Sequence, residues 1–275
     1  MTKLLQCGYP KSGNSLLYNI LSNYQKLTGT FSSFNEKAEF TQSMQTNEKD
    51  KLLFKNHEYV DNFIVKNNQI FVIYPNTKNR QFKVDINTFI NTSSLLWTHQ
   101  RASEFINQPL MSKVGKMFYV CSDPRAVYIS MCHHVVRPEY LRLLPMMKIK
   151  NAPEIMKRKD LTEKWVCAWR DNIRDYLKYK NRFILLKYEE IMSNKRQVLH
   201  NIIKNIDGKI DEANSDKMVK HLLKTTDLHR MMKENPEHVR KGKIDSWQEE
   251  ISSSTRQFIE DTTQKEMQLL GYNDG

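Results

Sequence analysis

Short apolar runs separated by polar turns recur along this chain. Four of them have the length of buried strands and are rich in aliphatic, β-branched and aromatic residues. They cover residues 3–8, 69–74, 116–121 and 182–188. Helical patterns follow the first, third and fourth runs, at residues 15–21, 125–136 and 189–205. This alternation predicts an α/β fold with a mostly parallel central sheet flanked by helices.

Polar segments connect these elements. Residues 29–68 and 75–94 are weakly periodic, which predicts surface excursions, the second with room for a hairpin. Residues 146–159 are basic and predict a mobile loop. Because specificity tends to lie on loops above a rigid scaffold, we expect these segments to select the binding partner. The chain shows no linker, repeat or shift in composition, so a single domain over residues 1–275 is expected.

The composition limits the class of protein. Of the 275 residues, 39% are hydrophobic, which excludes global disorder. The formal net charge of +12 suits a polyanionic partner such as a nucleic acid, a phosphorylated nucleotide or an acidic glycan. Because the sequence has no helix-turn-helix, zinc-finger or aromatic-repeat signal, we do not expect nucleic acid as the partner.

Targeting and cysteine signals favour a cytoplasmic setting. The N-terminus has no apolar stretch of signal-peptide length before its first glycine and proline, and no window approaches the roughly 18 apolar residues of a membrane span. No CxxC pair and no histidine at zinc-finger spacing accompany the four cysteines Cys7, Cys121, Cys132 and Cys167. We therefore expect a cytoplasmic protein with reduced cysteines, no transmembrane segment and no metal.

The loop after the first strand, YPKSGNS at residues 9–15, has the composition of an anion cradle. Gly13 permits a tight turn, so that successive amides and the next helix N-terminus point at a bound anion. Lys11 adds a mobile positive charge, and Ser15 is expected to cap the helix. The loop departs from the Walker pattern, because Lys11 precedes Gly13 and no upstream glycine has the required spacing.

Three further segments place chemically active residues after a strand or in a turn. Residues 117–130, MFYVCSDPRAVYIS, predict a strand followed by a helix that starts at a proline. Residues 182–190, RFILLKYEE, predict the next strand and helix. Towards the C-terminus, TTDL at 225–228 precedes RKGKIDSW at 240–247, where adjacent cations beside a glycine suit a phosphate clamp.

In this order the segments resemble the signatures of sulfotransferases that use PAPS (3′-phosphoadenosine 5′-phosphosulfate). The family patterns are YPKSG(T/N)TW, a strand ending in R-D/N-P-R/K-D-V-x-x-S, YEDL or YEEL, and RKG-x-x-G-D-W. The resemblance implies a single-domain, P-loop-NTPase-like sulfotransferase fold. It also implies in-line transfer of a sulfuryl group from PAPS to a hydroxyl or amine of a small molecule or glycan, with PAP (3′-phosphoadenosine 5′-phosphate) as product and no metal.

The resemblance also assigns roles to individual residues. Lys11 is expected to contact the bridging oxygen of the leaving phosphosulfate, while Ser122 and Ser130 are expected to contact the 3′-phosphate. The other expected nucleotide contacts are Ser12, Gly13, Asn14, Ser15, Leu16, Tyr188, Thr226, Leu228, Arg240, Lys241 and Gly242.

Activation of the acceptor requires a base, and a histidine suits this role at neutral pH. His99 lies 23 residues before Ser122, close to the family interval, although Trp97 stands where the family's K-T-H motif has lysine. His57 follows a lysine, Lys55, but lies too far from the second motif. We favour His99 and keep His57 as the alternative.

Departures from the family pattern keep other interpretations open. Ser122 stands where the family has its phosphate-binding arginine. We expect this change to weaken the binding free energy by about 1.5–3 kcal/mol unless another cation compensates. Candidates for that compensation are Arg125, Arg240 and Lys241. A degenerate, non-catalytic nucleotide-binding member of the same fold is therefore the alternative function. A P-loop phosphotransferase, which would prefer ATP, is a second alternative, and the sequence leaves a homodimer open.

Overall fold

A central sheet runs through the molecule. The computed structural model describes residues 2–38, 60–74, 80–143, 149, 151–234 and 244–272. Within these ranges the strands are β1 Leu4–Cys7, β2 Asp61–Lys66, β3 Gln69–Tyr74, β4 Arg80–Val84, β5 Leu95–Thr98, β6 Lys116–Cys121 and β7 Ile184–Lys187. They pair in the order β4-β3-β2-β5-β1-β6-β7.

Most of the sheet is parallel, as the sequence predicts. Strands β2, β5, β1, β6 and β7 run in one direction, and β3 and β4 add an antiparallel edge. The run at 69–74 is therefore a strand, but it belongs to the antiparallel edge. Because β1 lies between β5 and β6, the loops that follow these three strands open at the same edge of the sheet.

Helices cover both faces of the sheet. They are α1 Asn14–Leu27, α2 Phe34–Lys37, α3 Ile86–Thr92, α4 Ala102–Phe105, α5 Pro124–Val135, α6 Pro138–Leu143, α7 Ala152–Met156, α8 Lys159–Lys178, α9 Tyr188–Ser193, α10 Lys195–Ile206, α11 Glu212–Thr225, α12 Leu228–Glu234 and α13 Ser253–Leu270. Short 3₁₀ turns occupy Pro109–Lys113, Lys180–Arg182 and Ser246–Glu249. Among the described helices, none combines the length and apolar character that crossing a bilayer demands.

Two expectations about helices are wrong. The expected helix over 189–205 is divided into α9 and α10, because Asn194 leaves helical geometry with φ −133° and ψ 47°. Asparagine favours such helix ends since its side chain competes with the backbone for hydrogen bonds. The expected loop over 146–159 contains helix α7, which Asn151 caps by accepting a hydrogen bond from the Glu154 amide.

The alternation of side chains along the strands builds one apolar layer on each face of the sheet. On one face, Leu4 and Phe118 pack with α1, α10 and α11. On the other, Leu5 and Tyr119 pack with α8 and α13, where Trp169 is among the largest fully buried side chains. Because both faces are covered, the central strands are almost entirely apolar, which explains why they appear as continuous apolar runs in the sequence.

Candidate active site

Three loops meet at the carboxyl edge of the sheet. Cys7 pairs with Thr98 of β5 and with Tyr119 of β6. The next residues along the chain are Gly8 after β1 and His99 after β5. This register brings the first sequence motif beside the candidate base.

The loop from Gly8 to Asn14 is fixed by close contacts of its backbone. A Cβ atom on Gly8 would lie 2.3 Å from the carbonyl oxygen of Val120, so only glycine fits between β1 and β6. The Ser12 amide donates to the Tyr9 carbonyl at 3.2 Å, and Asn14 Nδ2 donates to the same oxygen at 2.8 Å. Lys11 is held in the left-handed region with φ 69°, a conformation that non-glycine residues adopt mainly where the surroundings impose it.

The loop presents a polar group suited to an anion. Ser12 is fully buried, and its Oγ has no hydrogen-bond partner among the described residues. A buried hydroxyl without a partner is unfavourable unless a ligand or water completes its hydrogen bonds. The residues present therefore fit the phosphosulfate group that the sequence predicts here, with Lys11 supplying the positive charge.

The start of helix α1 differs from the expectation. Gly13, with φ 94°, is the N-cap residue, and Ser15 lies in the first turn, so the expectation that Ser15 caps the helix is wrong. A Cβ atom on Gly13 would lie 2.7 Å from Cδ2 of Tyr188. The first and third sequence motifs are therefore in contact, and Gly13 is required both for its backbone conformation and for the approach of the Tyr188 ring.

Lys11 is electrostatically unusual. Burial, with a smaller contribution from the positive charge of Arg137, lowers the pKa of Lys11 to about 7. Arg137 follows helix α5 and is partly buried. A bound anion would stabilise the charged form of Lys11 and would interact with a second cation nearby.

The histidine after β5 is held in one tautomer. His99 Nδ1 lies 2.9 Å from the carbonyl oxygen of Gly8, which can only accept a hydrogen bond, so Nδ1 carries the proton. The second nitrogen, Nε2, is then free to accept a proton. Burial lowers the pKa of His99, and the charge of Lys11 lowers it further, against the opposing effect of the Gly8 hydrogen bond. The ring is therefore neutral at pH 7.

Trp97 is a packing residue. It is 4% exposed and its ring lies 5.5 Å from that of Tyr18 on helix α1. The His99 and Trp97 rings pack edge to face, with a centroid distance of 5.5 Å. The position that holds a lysine in the resembled motif is thus occupied by a neutral ring that packs against the candidate base.

The end of β6 is occupied by a carboxylate. Ser122 Oγ donates a hydrogen bond to Glu189 Oε1 at 2.6 Å, and the Asp123 amide donates to the same oxygen at 3.0 Å. Tyr272 Oη donates to Glu189 Oε2 at 3.0 Å. Burial raises the pKa of Glu189, although these hydrogen bonds oppose the shift. The second and third sequence motifs are therefore joined, and a residue near the C-terminus completes the junction.

Arg125 cannot replace the missing arginine at position 122. Its Nη2 lies 2.7 Å from Asp123 Oδ2, and its Nη1 lies 2.7 Å from Glu260 Oε1. Its guanidinium also stacks over the Trp247 ring at 4.2 Å. The expectation that Arg125 compensates is wrong, because these contacts direct a guanidinium that is only 3% exposed into the protein.

The structure also describes four further residues that the sequence predicts as nucleotide contacts, Leu16, Ser130, Thr226 and Leu228. Ser130 is partly buried in the second turn of α5, and Leu16 is buried in α1. Thr226 is fully buried, and its hydroxyl donates to the Leu222 carbonyl at 2.6 Å. Leu228 is partly buried at the start of α12. His57, Arg240, Lys241 and Gly242 lie outside the described residues.

Two residues at the end of β6 could not be predicted from the sequence. Glu189 belongs to the YEE segment, but nothing in the sequence indicates that its carboxylate binds Ser122 rather than solvent. Tyr272 has no signal at all, since 83 residues separate it from Glu189. The described residues contain no group of three or more histidine, cysteine, aspartate or glutamate side chains arranged to hold a metal ion.

Comparisons with known proteins found one matching family and several similar structures. A family model described as the sulfotransferase domain matches residues 1–271. The structure is similar to that of mouse sulfotransferase SULT7A1 complexed with PAP, with a TM-score of 0.59 and 12% identity, covering 96% of this chain and 84% of that one. It is also similar to retinol dehydratase in a complex with retinol and PAP, with a TM-score of 0.51 and 14% identity over 96% and 81% of the two chains. A search of curated proteins gave no match.

Proposed function

Since this chain belongs to the sulfotransferase domain family, we propose that it transfers a sulfuryl group from PAPS to an acceptor hydroxyl or amine. The observation that carries the proposal is the pairing of two groups at one edge of the sheet. Lys11 lies in an anion-binding loop, and His99 is fixed through Gly8, the residue that begins that loop. A cation that stabilises the leaving group and a base that accepts the proton of the acceptor are the two groups that this in-line displacement uses.

The proposed donor site is the loop after β1. Ser12 supports this assignment, because its buried hydroxyl has no hydrogen-bond partner in the described part of the chain, and the 5′-phosphate end of a nucleotide would provide one. The amides of Gly13, Asn14 and Ser15 precede or begin helix α1, where negative charge is stabilised. PAPS, when bound, supplies the sulfuryl group and the phosphate leaving group. Lys11 neutralises the negative charge that develops on the bridging oxygen.

His99 is the proposed general base. With Nδ1 donating to Gly8, its Nε2 takes the proton from the acceptor as the new oxygen–sulfur bond forms. The partly buried ring is neutral at pH 7, so Nε2 can accept the proton. Trp97 is the proposed positioning residue, because its ring packs edge to face with the imidazole.

The remaining part of the nucleotide is proposed to extend along the carboxyl edge of the sheet. Tyr188, which packs on Gly13, is well placed for the ribose and adenine. We retain Leu16, Thr226 and Leu228 as proposed adenine contacts. The proposed surroundings of the 3′-phosphate are Ser122, Ser130, Arg240, Lys241 and Gly242.

The acceptor is proposed to be a small molecule or a glycan, without nucleic acid as a partner. The net charge of +12 favours an acceptor with acidic character. Retinol dehydratase, one of the similar structures, was solved in a complex with retinol and PAP. Retinol is a small molecule with a hydroxyl group. This comparison supports testing small alcohols and phenols first.

Transfer is tested by incubating the protein with PAPS and a panel of phenols, alcohols, sugars and amines. Sulfated products and released PAP are then identified by mass spectrometry. We expect at least one acceptor class to gain a sulfuryl group, and heat-inactivated protein is the control. Binding of PAP without transfer to any class would instead support a non-catalytic nucleotide-binding function.

A further inference from the structure

The two residues that follow strand β5 connect the end of this strand to both of its neighbours. Strand β5 lies between β2 and β1 and ends at Thr98. Continued past that end, the register with β1 sets His99 opposite Gly8. The register with β2 likewise sets Gln100 opposite Val65. Each of the two side chains reaches the residue opposite to it, so the proposed base is one member of a pair that closes the end of the strand.

The side-chain amide of Gln100 makes the two hydrogen bonds that a backbone would make in a sheet. Its Oε1 accepts from the Val65 amide at 2.6 Å, and its Nε2 donates to the Val65 carbonyl at 2.9 Å. The same Nε2 also donates to Glu104 Oε1 at 3.3 Å. Because the oxygen and the nitrogen of the amide each have a defined partner, the orientation of this side chain is fixed.

Val65 is a firm anchor for the Gln100 side chain. It is 8% exposed, belongs to an apolar layer of the sheet and pairs with Ile70 of β3. The backbone of Gln100 is held as well, because its amide donates to Thr98 Oγ1 at 3.2 Å. The peptide group between His99 and Gln100 is therefore restrained from the side of β2.

This restraint bears on the state of the His99 ring. His99 Nδ1 lies 2.9 Å from the Gly8 carbonyl oxygen, on the side of β1. A hydrogen bond weakens steeply when its geometry is lost, and this bond decides which ring nitrogen carries the proton. If the loop after β5 moved, the ring would leave Gly8 and the proton could occupy Nε2. An Nε2 that carries a proton cannot take one from an acceptor.

We propose that Gln100 is a positioning residue, which holds His99 against Gly8 in the tautomer that proton transfer requires. It acts through the backbone of its neighbour and not on the reacting atoms. The inference rests on the proposed function, because that function makes His99 the base. A purely structural role would lower the stability of the fold and leave the tautomer of the ring in folded molecules unchanged.

The variant Gln100→Leu removes both hydrogen bonds to Val65 and keeps a side chain of similar size. Heteronuclear NMR of the histidine rings shows which nitrogen carries the proton, and the signals lost in His99→Asn identify His99. In the wild-type protein we expect the proton on Nδ1, and in Gln100→Leu the fraction on Nδ1 should fall. Its kcat should fall at least about tenfold while the KM for PAPS stays within about twofold, since the donor loop is unchanged.

Gln108→Leu is the matched control. Gln108 Nε2 reaches Asn68 Oδ1, in the turn between β2 and β3, at 3.5 Å. The control therefore removes a glutamine contact with the same hairpin and leaves the contacts of His99 and Gln100 in place. Its His99 tautomer should match that of the wild type, and its kcat should stay within about twofold.

Either an unchanged tautomer or an unchanged kcat in a folded Gln100→Leu protein would overturn the inference. A wild-type His99 that carries its proton on Nε2 would do the same. If Gln100→Leu does not fold, Gln100→Asn decides, because it keeps the amide but is one methylene too short to reach both groups of Val65. If the wild-type protein transfers a sulfuryl group to no acceptor, the proposed function fails, and the tautomer comparison still shows whether Gln100 positions the ring.

Discussion

At the scale of single residues, the chemistry depends on how neighbours constrain two side chains. Gly8 is required where β1 approaches the Val120 carbonyl, and the carbonyl of Gly8 itself fixes the proton on His99 Nδ1. Lys11 is held in a left-handed conformation within the same loop. One short backbone segment therefore positions both the proposed cation and the proposed base.

Replacing His99 tests the base. His99→Asn should lower kcat for sulfuryl transfer by about 10²–10⁴-fold, because the variant cannot take the acceptor proton. Its affinity for PAP should change little, since the donor loop stays intact. Steady-state kinetics with an acceptor from the panel measures both effects. His200→Asn is the control, because His200 bonds Ser215 on the helical surface away from the site. Full activity of His99→Asn would assign the base to another residue such as His57.

The ionisation of Lys11 makes nucleotide binding depend on pH. The free protein loses the Lys11 charge as the pH rises through its pKa of about 7, whereas a bound polyanion keeps the ammonium protonated. The affinity for PAP should therefore fall about fivefold between pH 7 and pH 8. Calorimetric titrations at both pH values measure this decline. Lys11→Arg stays charged throughout and should remove it; an equal decline in the variant would show that another group titrates.

Replacing Gly13 tests whether the loop requires a glycine with a positive φ in contact with the Tyr188 ring. The backbone conformation alone should cost Gly13→Ala about 1–2 kcal/mol of unfolding free energy. The total loss should be larger, because the new Cβ would lie 2.7 Å from the Tyr188 ring. Gly29→Ala is the matched control: Gly29 also has a positive φ, of 66°, but a Cβ there meets nothing within 4 Å. Urea unfolding compares the two variants. Equal destabilisation would contradict the proposed contact between the first and third motifs.

At the scale of elements, the junction of β6 and α5 is held by buried charges. Asp123 caps α5 and binds Arg125, which also reaches Glu260 on α13. Arg125→Met should lower the free energy of unfolding by about 3 kcal/mol, because the buried Asp123 carboxylate loses its cation and Glu260 loses one arginine partner while keeping Arg256. Arg158→Met is the control, since the Arg158–Asp160 pair is exposed and should contribute nothing measurable. Chemical denaturation separates these outcomes, and equal stability of the two variants would refute a structural role for Arg125.

The sequence predicts best the strands that are covered by helices on both faces of the sheet. Strands β1 and β6 have apolar residues on both sides, and each is followed by a helix with a recognisable start, so their positions agree with the prediction. The hairpin of β2 and β3 was harder to place, because β2 alternates buried and partly exposed residues within a polar segment. Strand β5 has only four residues, too few for periodicity to separate it from a loop.

At the scale of the whole molecule, residues distant in sequence converge on one edge of the sheet. The sequence motifs identified Lys11, Ser122 and Tyr188 from local patterns, and the structure brings the first and third motifs together at Gly13. Contacts that join the edge to the C-terminus, such as that of Tyr272 with Glu189, depend on the packing of α13 and leave no local pattern. The hydrogen bond from Ser122 to Glu189 is likewise visible only in three dimensions.

Calorimetric titration with PAP is the most direct test of the account, since every proposed role depends on a nucleotide in the loop after β1. The wild-type protein should bind PAP with micromolar affinity, and Lys11→Ala should weaken binding at least about tenfold. Lys26→Ala, at the far end of helix α1, should bind as the wild type does. Absence of PAP binding in the wild-type protein, or unchanged binding by a folded Lys11→Ala variant, would contradict the assignment of this loop as the donor site.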